Sequence, residues 1–63
     1  MIIRIDDMRR AGHCVRGVRG WFATHGLDFR DFLENGIEAD QLVATGDALA
    51  ERVVKLAEER RGG

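Results

Sequence analysis

The chain has no proline and no serine, one cysteine and one tryptophan among 63 residues. Each scarcity excludes something. A single cysteine rules out an internal disulfide and a cysteine-rich metal knuckle, and it suits a reducing cytoplasm. Without serine there is no hydroxyl nucleophile of that type. No apolar run approaches the ~20 residues that a membrane-spanning helix needs, and MIIRIDD turns acidic too soon for a signal peptide. A chain of this length allows one domain, here residues 1–63. Its core supplies at most about 3–5 kcal/mol of net stability, so each large apolar side chain counts.

What is present is a third charged and 44% apolar, the balance of a globular domain. The net charge of −1 conceals a split. Residues 1–25 hold five arginines against Asp6 and Asp7, a net +3, and residues 26–50 hold six acids against Arg30, a net −5. A near-neutral total argues against simple non-specific nucleic-acid binding and leaves a basic N-terminal face.

Glycine does the punctuation. Gly12, Gly26, Gly36 and Gly46 each follow a segment with helical spacing, where a residue in the left-handed conformation ends a helix. Asp28 and Asp47 stand where an acceptor side chain restarts one. This grammar predicts short helices at Asp7–Ala11 (capped by Asp6), Cys14–His25, Phe29–Asn35, Glu38–Thr45 and Ala48–Arg60. Leu27 should fold back on Phe22, and Ile37 should meet Phe32. Arg61-Gly62-Gly63 should fray. Met1–Ile5 (MIIRI) reads as a short extended arm, because as a strand it would need a second copy or a partner to pair with. The expected fold is all-α, a compact orthogonal array of four or five short helices.

The central helix carries Cys14, Val18, Trp21, Phe22 and His25 on one side, with Gly17 among them. Gly17 predicts a notch across which the last helix packs. The expected core is Met8, Cys14, Val18, Trp21, Phe22, Leu27, Phe29, Phe32, Leu33, Ile37, Leu42, Leu49, Val53 and Leu56. Val15, Val43, Val54 and the MIIRI arm are apolar beyond that need, a surplus that marks an interface or a homodimer.

Catalytic chemistry finds little support. His13 and Cys14 are adjacent, so on a helix they diverge by about 100° and do not share a metal. Cys14 and His25 lie about 16 Å apart along such a helix, too far for a thiol–imidazole pair. The expectation is no enzyme, no metal and no cofactor. Partner binding is the remaining class. Arg9, Arg10, Arg16 and Arg19 form one candidate set, able to meet phosphates. Arg9 and Arg10, followed by a glycine turn and a second helix, suggest a helix-turn-helix, but the first helix is one turn long and no Asn or Gln stands ready to read bases. The acids Asp31, Glu34 and Asp40 form the other set. Asp31 and Asp40 also suit the first turn of a helix, which leaves Glu34 without a structural reason.

With those residues in place, the chain resembles a family of small proteins encoded by phages and prophages of Gram-negative bacteria. The resemblance rests on DDMRRAGHCVRGVRGWFATHGLD, DFLENGI and ATGDALAERVV, which together cover most of the chain. It implies an accessory protein of the host-cell cytoplasm that binds a host or phage protein stoichiometrically. Anti-CRISPR inhibitors of host defence act in this way, and the link to them is one of setting and size. A DNA-binding regulator and a phage structural or assembly factor are the alternatives. The resemblance assigns no site residue.

Overall fold

A computed structural model describes residues 1–62, in the order β1 (Ile2–Ile3), α1 (Ile5–Arg10), α2 (Val15–Thr24), α3 (Phe29–Asn35), β2 (Ile37–Glu38), α4 (Ala39–Val43) and α5 (Ala48–Arg60). The protein is mostly helical, with one two-stranded antiparallel sheet. Buried side chains from all five helices and both strands form one cluster, centred on Phe22, Phe32, Leu42, Val53 and Ile3. Phe22 is its hub, with ring centroids 4.5 Å from Phe32, 5.7 Å from Phe29 and 5.5 Å from Trp21.

The glycine stops work as the spacing predicts. At the end of α2 the Gly26 amide donates to the Ala23 carbonyl (3.2 Å) and the Leu27 amide to the Phe22 carbonyl (2.8 Å). This is the paired bonding of a Schellman ending, with Gly26 at φ 67°. Gly12 ends α1 in the same way, through Gly12 to Arg9 and His13 to Met8. Asp28 caps α3 by accepting from the Asp31 amide (3.0 Å), and Asp47 caps α5 by accepting from Leu49 (2.8 Å).

The N-terminal segment departs from expectation. It is not an arm awaiting a second molecule, because β1 pairs with β2 of the same chain, Ile2 opposite Glu38 and Ile3 opposite Ile37. Gly36 makes this possible. It ends α3 at φ 76° and ψ −172°, which throws the chain straight into an extended strand. It also lets β1 come close, since a Cβ there would lie 2.5 Å from Ile2 Cγ2 and 2.9 Å from the Ile3 carbonyl. Ile3 is consequently fully buried. The sheet delays the start of the fourth helix by a residue, so that Glu38 is its cap and not its first turn, and the helix ends at Val43, two residues short of the expected Thr45.

The first helix begins earlier than Asp6 would place it. Its cap is Arg4, whose amide donates to Asp7 Oδ2 at 2.8 Å, so Asp7 closes the first turn from the third helical position. Asp7 is also the one buried charged residue described, 3% exposed. Arg60 pairs with its Oδ1 and Arg61 with its Oδ2 (3.0 Å), and Arg61 donates again to the Ile2 carbonyl at 2.8 Å. The expected fraying therefore does not begin at Arg61, which ties the end of α5 to β1 and α1. Gly63 lies outside the described residues.

The expected core needs four corrections. Cys14 is exposed because it caps α2, its Sγ accepting from the Gly17 amide at 3.3 Å. Leu33 and Leu49 are about half exposed, and Leu56 is partly buried apart from the cluster, whereas the partly buried Trp21, Leu27 and Phe29 pack against it. In their place the cluster takes Ile3, Ala39, Ala50, Val54 and Ala57. Val54 thus leaves the surplus, whereas Val15 and Val43 remain exposed. The stripe on α5 is used through its small residues, which lets α5 lie close against α4, with a second contact on α1.

Candidate protein-binding groove

The notch at Gly17 is not filled by α5. An open groove of about 350 Å³ lies there, lined by Val18 and Trp21 of α2, Leu49 and Val53 of α5, and Met8 of α1, with Cys14 and Gly17 at its edge. Its floor (Met8, Val18, Ala50, Val53) is buried, Trp21 is half-buried, and Leu49 stands 51% exposed on the rim. His13 and Cys14 are the only ionisable side chains among the lining residues described.

Anchors at both ends of α5 account for the gap. At its start, Asp47 Oδ2 accepts from the Trp21 indole nitrogen at 2.8 Å and lies 3.6 Å from His25 Nε2. The Trp21 and His25 rings lie against each other at a tilt of 43°, with centroids 4.3 Å apart. At its end, Arg60 and Arg61 hold Asp7 of α1. Helix α5 therefore reaches the C-terminal end of α2 and the body of α1, and the first turns of α2 stay uncovered.

The indole N–H is the main cause that holds the Asp47 carboxyl below its ordinary pKa of 3.8, followed by the Leu49 amide; partial burial opposes them and His25 adds to them. A carboxylate with a depressed pKa contributes stability that is fully present above the ordinary value and lost as pH falls through the lowered one. The urea midpoint of the wild type should exceed that of Asp47→Asn at pH 6, since Asn keeps the helix cap but not the charge. The difference should close on acidification below pH 4. A constant offset down to pH 2.5 would exclude this role.

Gly17 borders the groove and Gly20 lies away from it, toward Arg16 and Arg19, and neither has an internal packing reason. A Cβ at Gly17 would meet only Cys14 Sγ, at 3.4 Å, and one at Gly20 would meet nothing within 4 Å. Glycine inside a helix costs roughly 0.5–1 kcal/mol relative to alanine. Gly20→Ala should therefore raise the unfolding free energy by about that amount. A loss of stability in urea titration would show a contact that the fold does not contain.

The sequence-derived candidates fall on separate elements. Arg9 and Arg10 close α1, and Arg16 and Arg19 lie on α2; all four are exposed, and among the described residues none forms an ion pair. Asp31 and Glu34 lie on α3 and Asp40 in the first turn of α4, all exposed. Asp31 accepts from Asn35 at 2.8 Å. No ion pair joins the basic and acidic sets within the described residues. Sequence spacing missed the groove, the Trp21–Asp47–His25 cluster and the Asp7–Arg60–Arg61 clamp. No helix is long and apolar enough to cross a membrane among the described residues, nor do three His, Cys, Asp or Glu side chains gather there as a metal site.

No family model, no curated protein and no solved structure matches this chain.

Proposed function

We propose that the protein is a stoichiometric binding module that offers the groove between α2 and α5 to an apolar segment of a partner protein. In the phage setting that the sequence resembles, the partner is a component of host defence and binding inhibits it. The observation that carries this reading is Leu49, half exposed beside an unfilled apolar groove. Fully burying a leucine is worth about 1.5–3 kcal/mol. A domain with only about 3–5 kcal/mol of net stability forgoes a large contribution by leaving one outside. Tryptophan is also among the side chains enriched at the energetic centre of binding interfaces.

The test is affinity capture from host lysates with and without an active CRISPR system. The wild type should retain an effector subunit in a fixed ratio, and Leu49→Glu should lose at least tenfold of that retention. Equal retention by both, or retention of no effector subunit, would overturn the reading.

A further inference from the structure

We propose that the side of α2 turned away from the groove binds the phosphate backbone of duplex DNA. At about 100° per residue, α2 presents three sides. Val18 and Phe22 enter the core, Gly17 and Trp21 turn to the groove, and Arg16, Arg19, Gly20 and Ala23 share the remaining side, where all four are exposed. Arg16 and Arg19 stand about one turn apart, and neither is paired with an acid among the described residues. The nearest acids in the chain are Asp7 and Asp28, and both are engaged. Asp7 is buried under Arg60 and Arg61, and Asp28 caps α3.

Gly20 is an independent sign of an external contact. A Cβ there would meet nothing within 4 Å, so this glycine weakens the helix without serving the fold. The bare backbone, one turn beyond Arg16, lets a phosphodiester chain lie against the helix. Arg16 and Arg19 can then reach its phosphate oxygens, which the planar guanidinium fork matches. Other occupants suit the face less well. Val15 only borders it and it holds no large apolar side chain, whereas a protein interface centres on apolar or aromatic anchors. It offers no ring on which the bases of a single strand would stack. With no Asn or Gln to read base edges, the contact is with the backbone and independent of base sequence.

The contact is expected to be weak. The net charge is −1, so the rest of the surface does not draw DNA in and the affinity rests on this one face. A dissociation constant of about 10⁻⁴ M, the weak end of non-specific binding, is the expected scale. Neutralising two phosphates gives log K a slope of about −1.8 on log salt.

Fluorescence anisotropy of a labelled 20-base-pair duplex, titrated with protein to 1 mM in 20–200 mM salt, tests the proposal. The wild type should bind with the slope given above. Replacing Arg16 and Arg19 together with alanine should lose at least fivefold of the affinity in 20 mM salt and flatten the slope by about 1.8. Replacing Arg52 and Lys55 with alanine removes the same charge from the exposed side of α5 and should change the affinity less than twofold. Gly20→Ala should weaken binding at least threefold while stabilising the free protein, a combination that a structural glycine would not give. Circular dichroism should show every variant folded, since all these positions are exposed. No binding at 1 mM in 20 mM salt would overturn the inference. So would an Arg16 and Arg19 variant or a Gly20→Ala variant that binds like the wild type, an equal loss in the α5 variant, or tighter binding to a single strand of the same length. This inference goes beyond the partner reading and fails separately from it: the groove and the arginine face lie on different sides of α2, so a chain that ignores DNA can still capture a host protein through Leu49, and one that captures none can still bind the duplex.

Discussion

Gly36→Ala should leave the protein largely unfolded at room temperature. The residue sits at φ 76° and ψ −172°, a combination that side chains with a Cβ rarely adopt. Backbone strain of that kind costs about 1–3 kcal/mol. The new methyl group would also lie 2.5 Å from Ile2 Cγ2 and 2.9 Å from the Ile3 carbonyl oxygen. The Ile2 side chain can swing aside, but the Ile3 carbonyl belongs to the backbone of β1 and cannot move without the strand. Displacing β1 exposes Ile3, which is fully buried, at about 1.5–3 kcal/mol. The sum, about 2.5–6 kcal/mol, spans the ~3–5 kcal/mol that a domain of this size has to lose. Circular dichroism should show reduced helix content and no cooperative melt. A melt within a few degrees of the wild type would mean that β1 is dispensable.

Replacing both Arg60 and Arg61 with alanine should come close to the same result by a different route. Asp7 is 3% exposed, and these two guanidiniums are the only cations paired with it among the described residues. Without them a buried carboxylate keeps only the Arg4 amide as a donor. Breaking a buried pair by removing one side costs about 3–5 kcal/mol. The arginines are a third or more exposed, so solvent already screens their side of the pair and the expected loss is nearer ~2–3 kcal/mol. Loss of the bond from Arg61 to the Ile2 carbonyl loosens β1 as well. Adding Asp7→Asn should recover part of the stability, since the amide still accepts from Arg4 and no buried charge remains unmatched. Denaturant titration of the three chains measures the recovery, and a double variant as stable as the wild type would show that the tail is not a clamp.

These two positions mark where the sequence was readable and where it was not. Glycine spacing located the helix ends because a left-handed residue is a local requirement, visible without knowledge of the neighbours. The caps at Asp28 and Asp47 are local too. The pairing of β1 with β2 joins residues 34 to 36 apart, and nothing in MIIRI announces Ile37 as its partner. The attachment of Asp7 to Arg60 and Arg61 spans 53 and 54 residues and is equally silent. Helical spacing also shows which side of a helix is apolar without showing what covers it. Leu49 and Val53 share a stripe on α5, yet Val53 is buried and Leu49 looks onto an open groove. The deciding contacts lie at the ends of α5, in the bond from Trp21 to Asp47 and the clamp on Asp7. The acidic and basic candidates were legible as charge, but their distribution over α3 and α4 on one side and α1 and α2 on the other required the fold.

Helix α5 leaves the first turns of α2 uncovered, so that Leu49 borders an open apolar groove and not a closed core. The urea midpoint of Leu49→Glu tests it most directly. With the groove open, the charged head stays in water and only the half-burial of Leu49 is lost, so the unfolding free energy should fall by no more than about 1.5 kcal/mol, half of what a fully buried leucine contributes. A fall of ~2–5 kcal/mol, the cost typical of losing a buried leucine, would place Leu49 inside a core that α5 closes over α2 and would contradict the account.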